Sequence, residues 1–411
     1  MELKKYCEYF TIDKSYRPAI DPESKKDPSI SWNTTYPHQS FIELLDKTAK
    51  MLGRETNTAK ASIWVDGSYG TGKSRLVWAL ENLLTCSDEE FDEYFNRYEV
   101  LRRESDLRTK LSARRKDKII VISDYSTGEI GSINDLCRRV FEKVTEALAK
   151  EGMNTISENT VRGRIADKIT SDDFRPIFEV WLANPKYRGK SGLSGKTVDE
   201  IADQLRNINA TSDNMVRSIL DIAKEQEFYA FSFDVDFLMD WLKAVISIND
   251  IDNIVFLWDE FSDFFKKLKR NNEYGSFQKL IDIYTSTPFN FIVVTHEADA
   301  MKNEGGEASA LYDRFSHQPV SMPDKVAFEL IHDALKINPT PGIQEEYDDL
   351  TDELAGNTYE PRKAVCAFAG IDEKLMRSIL PIHPMAALLL KYISCIVCTV
   401  LVYTIHRACW V

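Results

Sequence analysis

The sequence predicts an α/β protein built on a parallel five-stranded sheet flanked by helices. Three observations carry that expectation. A short apolar run, Ile63-Trp64-Val65, enters a glycine-rich loop and leaves it as an amphipathic helix. A second run, Ile254-Val255-Phe256-Leu257-Trp258, is apolar at five successive positions and ends in Asp259-Glu260. Stretches with helical spacing separate these and three further strand candidates, as parallel strands joined by crossover helices require.

Residues 1–60 read as an N-terminal extension that closes with the helical run Ser40 to Leu52. Just before that run stands Tyr36-Pro37-His38. A planar side chain held by a proline suits stacking on a nucleotide base, and it suits packing equally well.

The core begins at residue 61 with a strand over Ala61 to Asp66. The loop that follows, Gly67-Ser68-Tyr69-Gly70-Thr71-Gly72-Lys73-Ser74, fits the phosphate-binding pattern G-x-x-x-x-G-K-[ST] at each required position. Glycines let successive backbone N–H groups turn inward on a polyphosphate, and the positive end of the next helix adds to the attraction. Lys73 is placed to reach the terminal phosphates. Leu76, Val77, Leu80, Leu83 and Leu84 recur downstream at helical spacing, which distinguishes this loop from an ordinary glycine turn with an exposed lysine. Gly189-Lys190-Ser191 has the same closing letters but no strand before it, and reads as a linker.

Ser87-x-x-Glu90 predicts a capping box opening a helix that runs toward Arg115. Between Arg102 and Lys118 the chain carries eight Lys or Arg residues against three acids, either a solvated helix face or a contact for DNA. A strand is expected at Ile119 to Ser123 and a helix from Ser132 to Lys150, so the first part of the core spans 61–152. Residues 153–250 read as helices only, with starts at Ser171, Thr197 and Thr211. One crossover needs one helix, so this span is expected to be a helical insertion on the rim of the core.

The second part of the core, 251–323, opens on the strand that ends in Asp259-Glu260. The carboxyl end of a parallel strand faces the ligand crevice, so two carboxylates there point to chemistry rather than packing. Asp259, with Ser74, is expected to hold Mg²⁺, and Glu260 to polarise an attacking water. A second basic cluster, Lys266 to Arg270, closes the next helix and is a second candidate contact for DNA. Phe291 to Val294 is a further strand, delivering Thr295 and His296 to the same edge as candidate reporters of a γ-phosphate. A last strand is expected near Gln318 to Met322.

Composition limits the alternatives. A chain of 411 residues holds two or three domains, and a net charge of −13 argues against wholesale coating of nucleic acid. Seven cysteines without paired spacing, and no apolar leader after Met1, are read as a reduced, cytoplasmic protein. Cys395-x-x-Cys398 is not completed into a zinc site. No paired-metal carboxylate cluster supports a nuclease, and the lack of Asn-Lys-x-Asp favours adenine over guanine.

With these parts in place, the Gly67–Ser74 loop and the Phe256–Glu260 strand end give residues 30 to 390 a resemblance to the AAA+ ATPases. The resemblance implies ATP and Mg²⁺ as cofactors, hydrolysis with a homo-oligomer as the working form, and a C-terminal helical lid over 324–393. It points to Thr295 or His296 as the polar residue ending the strand after the acidic pair. Arg314, in Leu311-Tyr312-Asp313-Arg314-Phe315, stands where the family's arginine reaches a neighbour's nucleotide. Arg362, in Gly356-Asn357-Thr358-Tyr359-Glu360-Pro361-Arg362, is similar to the lid's sensor arginine, with Arg377 as a competitor. Tyr36-Pro37-His38, the long insertion and Leu380-Pro381-Ile382-His383-Pro384-Met385-Ala386 further resemble the large ATPases of bacterial BREX-type phage defence, which implies partners in a defence complex. The function so implied is remodelling or assembly driven by ATP; the alternative is a slowly hydrolysing switch or scaffold. Residues 394–411 depart from the pattern. A membrane anchor needs about twenty continuous apolar residues, and Lys391 interrupts this run. A buried end is a second account, and the favoured expectation is a chain truncated or frame-shifted near 394.

Overall fold

The computed structural model of the protein describes residues 5–12, 23–27, 30–54, 62–68, 70–125, 130–155, 161–187, 189–190, 192–206, 210–226, 234–296, 306–321, 323–338 and 340–394. Tyr69, Ser191 and the expected atypical tail beyond Ser394 lie outside these residues. Among the described residues the strands are β1 (Phe10–Ile12), β2 (Ile63–Asp66), β3 (Ile119–Tyr125), β4 (Asn253–Asp259), β5 (Phe289–Val294), β6 (Ser316–Pro319) and β7 (Leu335–Ile337).

β2 to β6 form one sheet in the order β3-β4-β5-β2-β6, and each neighbouring pair is parallel. All seven residues of β4 and all six of β5 are buried, because helices cover both faces. Side chains alternate across the pleat and divide the core in two. Ile254, Phe256 and Trp258 join Trp64, Phe291 and Val293 on one face, under the helices Ile133–Lys150, Val235–Asn249 and Phe261–Asn271. Val255 and Leu257 join Ile63, Val65, Ile292 and Val294 on the other, under Gln39–Leu52, Lys73–Thr85 and Asp88–Arg97.

The described residues of 153–250 contain the helices Val161–Thr170, Arg175–Ala183, Val198–Arg206, Ala210–Glu225 and Val235–Asn249, and no strand. Their buried residues, among them Phe174, Phe178, Ile201 and Ile219, belong to the same apolar cluster as the first sheet face. The segment is therefore fused to the core through helices Ile133–Lys150 and Val235–Asn249. Thr197 opens Val198–Arg206 with a reciprocal cap, its backbone N–H reaching Glu200 Oε2 at 2.8 Å and its Oγ1 accepting from Glu200 N at 3.3 Å.

Three elements differ from the expected ones. The last core strand is Ser316–Pro319, earlier than 318–322, because it pairs Ile63 with Ser316 and Asp66 with Pro319. Only Gln318 is buried in that strand, so apolar patterning could not find it. The helix expected from Ser87 to Arg115 is three pieces, Asp88–Arg97, Glu99–Arg102 and Ser105–Arg114. Its predicted cap is present, with Glu90 N donating to Ser87 Oγ at 3.2 Å. Unanticipated altogether is a small antiparallel sheet, in which β1 pairs with β7 through Phe10–Ile337 and Ile12–Leu335. It ties residues 5–12 to the helices after 324, where Tyr9 and Phe10 pack on Ile343 and Tyr347. Residues 30–54 pack instead on the sheet. Among the described residues no helix is long and apolar enough to cross a membrane.

Candidate functional site

The carboxyl ends of β2, β5 and β4 lie in that order along one edge of the sheet. With strands spaced about 4.8 Å apart, β2 and β4 stand roughly 10 Å from each other across the end of β5.

From β2 the chain enters the glycine loop. A Cβ on Gly67 would lie 2.3 Å from the carbonyl oxygen of Val320, so glycine is required where the exit of β6 crosses the loop. That crossing is fixed by Val320 N donating to Asp66 O at 2.6 Å. Gly70 and Gly72 take φ of +79° and +84°, and Gly72 caps the helix Lys73–Thr85. Thr71 Oγ1 donates to Ser68 O at 2.9 Å and closes the loop on itself. Lys73 is buried, and its Nζ donates to the carbonyls of Gly67 (2.7 Å) and Ser68 (2.8 Å). The first N–H groups of the helix are left pointing out of its N-terminus into the crevice.

Asp259 ends β4 and is buried. Burial pushes its carboxyl above the ordinary aspartate value, and a hydrogen bond from the Ser74 side chain opposes that rise. Ser74 and Asp259 thus approach each other across the gap between the loop and the acidic strand end. Glu260 follows with φ of +61°, a strained backbone for a residue with a Cβ, and its N–H donates to Asp259 Oδ1 at 2.9 Å. Its Oε1 meets His296 Nε2 at 3.0 Å. That hydrogen bond holds the Glu260 carboxyl below its usual range; burial works against it, and the charge of Lys73 adds to the lowering.

The two polar residues that end β5 diverge. Thr295 is fully buried, its N–H bonded to Val65 O at 2.9 Å and its Oγ1 accepting from Trp64 Nε1 at 2.8 Å. His296 turns into the crevice toward Glu260, and its N–H donates to Ser262 Oγ at 3.3 Å. No family model, curated protein or solved structure matches this chain.

The structure brings Lys73, Ser74, Asp259, Glu260 and His296 to one edge, but keeps the three candidate arginines elsewhere. Arg314 precedes β6, at the amino ends of the strands, and its Nη1 pairs with Asp282 at 3.1 Å. About 3.3 Å per residue puts it roughly 17 Å from the exit of that strand. Arg362 is buried among the C-terminal helices, its Nη2 donating to Ala355 O at 2.6 Å and its Nη1 3.3 Å from Glu373. Arg377 pairs with Asp352. In the Arg102–Lys118 stretch, Arg103, Arg108, Lys110, Arg114 and Arg115 all sit in ion pairs with carboxylates. Arg115 also lies 4.5 Å from the Phe91 ring, an inward-facing anchor rather than a surface charge. In the second cluster, Lys267 donates to Ile130 O at 2.9 Å.

Tyr36 and His38 are packed. The Tyr36 ring meets Tyr98 edge-on at 5.8 Å, and burial followed by a hydrogen bond to Glu329 raises its hydroxyl above the usual tyrosine value. Burial pushes His38 down to about 4, against an opposing pull from Glu43. Arg75, on the loop helix, grips the same segment through Thr34 Oγ1 at 2.6 Å and Thr35 Oγ1 at 3.2 Å. Neither Arg75 nor Ser262 carries a signal in the sequence, since their partners are remote or belong to no motif.

A hydroxyl and a carboxylate are hard oxygen donors, and Mg²⁺ keeps most of its shell for water and phosphate. Ser74 and Asp259 therefore fit that ion, with a bound substrate supplying the remaining ligands. Among the described residues no group of three or more His, Cys, Asp and Glu side chains could hold a metal by itself.

Proposed function

We propose that this chain binds ATP with Mg²⁺ in the crevice between the Gly67–Ser74 loop and the end of β4, and hydrolyses it. The observation that carries the reading is the parallel strand order β4-β5-β2, which sets the Gly67–Ser74 loop and the Asp259-Glu260 strand end at one edge of the sheet. It joins the phosphate-loop pattern to the acidic strand end, although the two are nearly two hundred residues apart in sequence. Residues 67, 68 and 70–74 would cradle the phosphates through backbone N–H groups, with Lys73 exchanging its loop carbonyls for phosphate oxygens. Mg²⁺, when bound through Ser74 and Asp259, would neutralise charge on the phosphates. Glu260 would accept a proton from the attacking water.

The wider reading is an AAA+-like ATPase that drives remodelling or assembly, in the manner of bacterial phage-defence ATPases. Its support is the motif pair together with a parallel sheet whose order sets β5 between the two motif strands. Arg314 lies at the end of the sheet away from its own crevice, which suits service to a second copy of the chain. The second reading is a slow switch or scaffold. The observation that favours it is that Lys73 and Glu260 are each tied to protein groups.

Steady-state ATP hydrolysis by wild type and Glu260→Gln separates the two. The hydrolase reading expects turnover in wild type and a loss of about 100-fold or more in the variant, with ATP affinity retained. No turnover in wild type, alone or with its partners, would leave the switch.

A further inference from the structure

We propose that the open edge of β7 and the cleft beside it are a docking site for an extended peptide segment of a partner protein, taken up as a third, antiparallel strand of the small sheet. The site lies among the C-terminal helices, and it stands whether or not the chain hydrolyses nucleotide.

The backbone of β7 dictates what fits there. Asn338 N donates to Tyr9 O at 2.9 Å, and hydrogen-bonded pairs alternate along an antiparallel ladder. Lys336 therefore exchanges its bonds with Thr11, its register partner, while the N–H and C=O groups of Leu335 and Ile337 point away from β1. The N–H of Leu335 is taken by His332 O at the end of the helix Asp324–Ala334. Among the described residues nothing takes the carbonyl of Leu335 or the N–H and carbonyl of Ile337. A donor and two acceptors in a row at a sheet edge are the template for another strand.

The same two residues line a cleft of about 370 Å³, and Tyr347 and Leu380 complete its apolar floor. Its walls are tied together, with Tyr347 Oη donating to Leu380 O at 2.6 Å and His332 Nδ1 donating to Ser378 O at 3.1 Å. The cleft continues the face on which the chain's own extended segment docks, since Tyr9 and Phe10 pack on Ile343 and Tyr347 from the β1 side. On the rim, Asp352 and Arg377 pair with each other, while Asp348 and Lys374 add one charge of each sign. Main-chain bonds and apolar burial, rather than charge, thus select the ligand. Residues opposite Leu335 and Ile337 share their face of the sheet, so the incoming strand carries apolar side chains at alternate positions. The N–H and C=O groups of those apolar residues are the ones that bond to β7.

The probe is an acetylated, amidated peptide in which threonine and valine alternate over seven residues, labelled with fluorescein and followed by anisotropy on the full chain. Saturable binding is expected, changing by less than about two-fold between about 50 and about 300 mM salt. Serine in place of each valine, or N-methylation of the valines, weakens it by about 10-fold or more. Ile337→Pro removes the donor at an edge position whose N–H lies outside the ladder. It weakens binding by about 10-fold, with a thermal midpoint within about three degrees of wild type. Where that variant does not fold, the N-methylated peptide removes the same pairing from the ligand side. Amide hydrogen exchange over residues 335–338 slows only when the peptide is present. No binding of the valine peptide, equal binding of the N-methylated one, equal binding by folded Ile337→Pro, or a steep fall with salt overturns the proposal. So does slow exchange at residues 335–338 in the protein alone, which would mean that the edge is already covered by this chain or a second copy of it.

Discussion

Gly67 and Gly72 both take positive φ, +155° and +84°, but only at Gly67 does a backbone atom also stand where a Cβ would go, and replacing each with alanine isolates that difference. A Cβ at position 67 would sit 2.3 Å from Val320 O, a backbone atom locked by its neighbour's hydrogen bond to Asp66. An ordinary contact of this kind is about 3.3 Å, so roughly 1 Å of movement must be taken up by β6 or by the loop, at a cost of about 1–3 kcal/mol. A Cβ at position 72 meets no atom within 4 Å, and the cost there is only that of φ +84°, about 1–2 kcal/mol. Urea unfolding without nucleotide should therefore show Gly67→Ala less stable than Gly72→Ala. Displacing β6 also moves the loop, so Gly67→Ala should weaken Mg·ATP binding in parallel. Equal stabilities, or a Gly67→Ala protein within about 0.5 kcal/mol of wild type, would refute the claim that the crossing of β6 dictates the residue.

Two further predictions draw on other parts of the molecule. His38 is held near 4 when folded, against 6.5 when exposed, so below pH 6.5 the unfolded chain takes up a proton that the folded chain refuses. Stability present at pH 7.5 is thus lost as the pH falls toward 4, by about 2 kcal/mol at pH 5. His38→Asn should remove that part of the pH dependence in paired urea titrations, and identical slopes in both proteins would contradict it. Arg314→Ala breaks a partly exposed pair with Asp282 and should change stability by less than about 1 kcal/mol. It should leave ATP affinity intact while lowering hydrolysis in assembled protein, and equal rates would remove Arg314 from the reaction.

Much of the site was legible because its parts are local. The Gly67–Ser74 loop, its flanking strand and helix, and the acidic end of β4 are contiguous letters whose periodicity fits one conformation each. β6 was placed too late because Ser316-His317-Gln318-Pro319 is a polar edge strand, defined by its pairing with β2 rather than by its own pattern. β1 and β7 are three residues each and pair across more than three hundred positions, which no window along the chain detects. The basic run from Arg102 reads as a patch in sequence. In space, Arg108 meets Asp92, Lys110 meets Asp46 and Arg115 meets Asp88. For the same reason the sequence does not rank the two polar residues after β5: that Thr295 faces Trp64 while His296 faces Glu260 depends on the twist and register of the assembled sheet.

Calorimetric titration of Mg·ATP into wild type and Lys73→Ala addresses the core of the account. Lys73 is buried on the carbonyls of Gly67 and Ser68, and the proposed function requires it to pass from them to phosphate. Saturable binding to wild type, weakened by about 100-fold or more in Lys73→Ala with the fold retained, is the expected result. Equal affinity in the two proteins, or none in wild type, would contradict it.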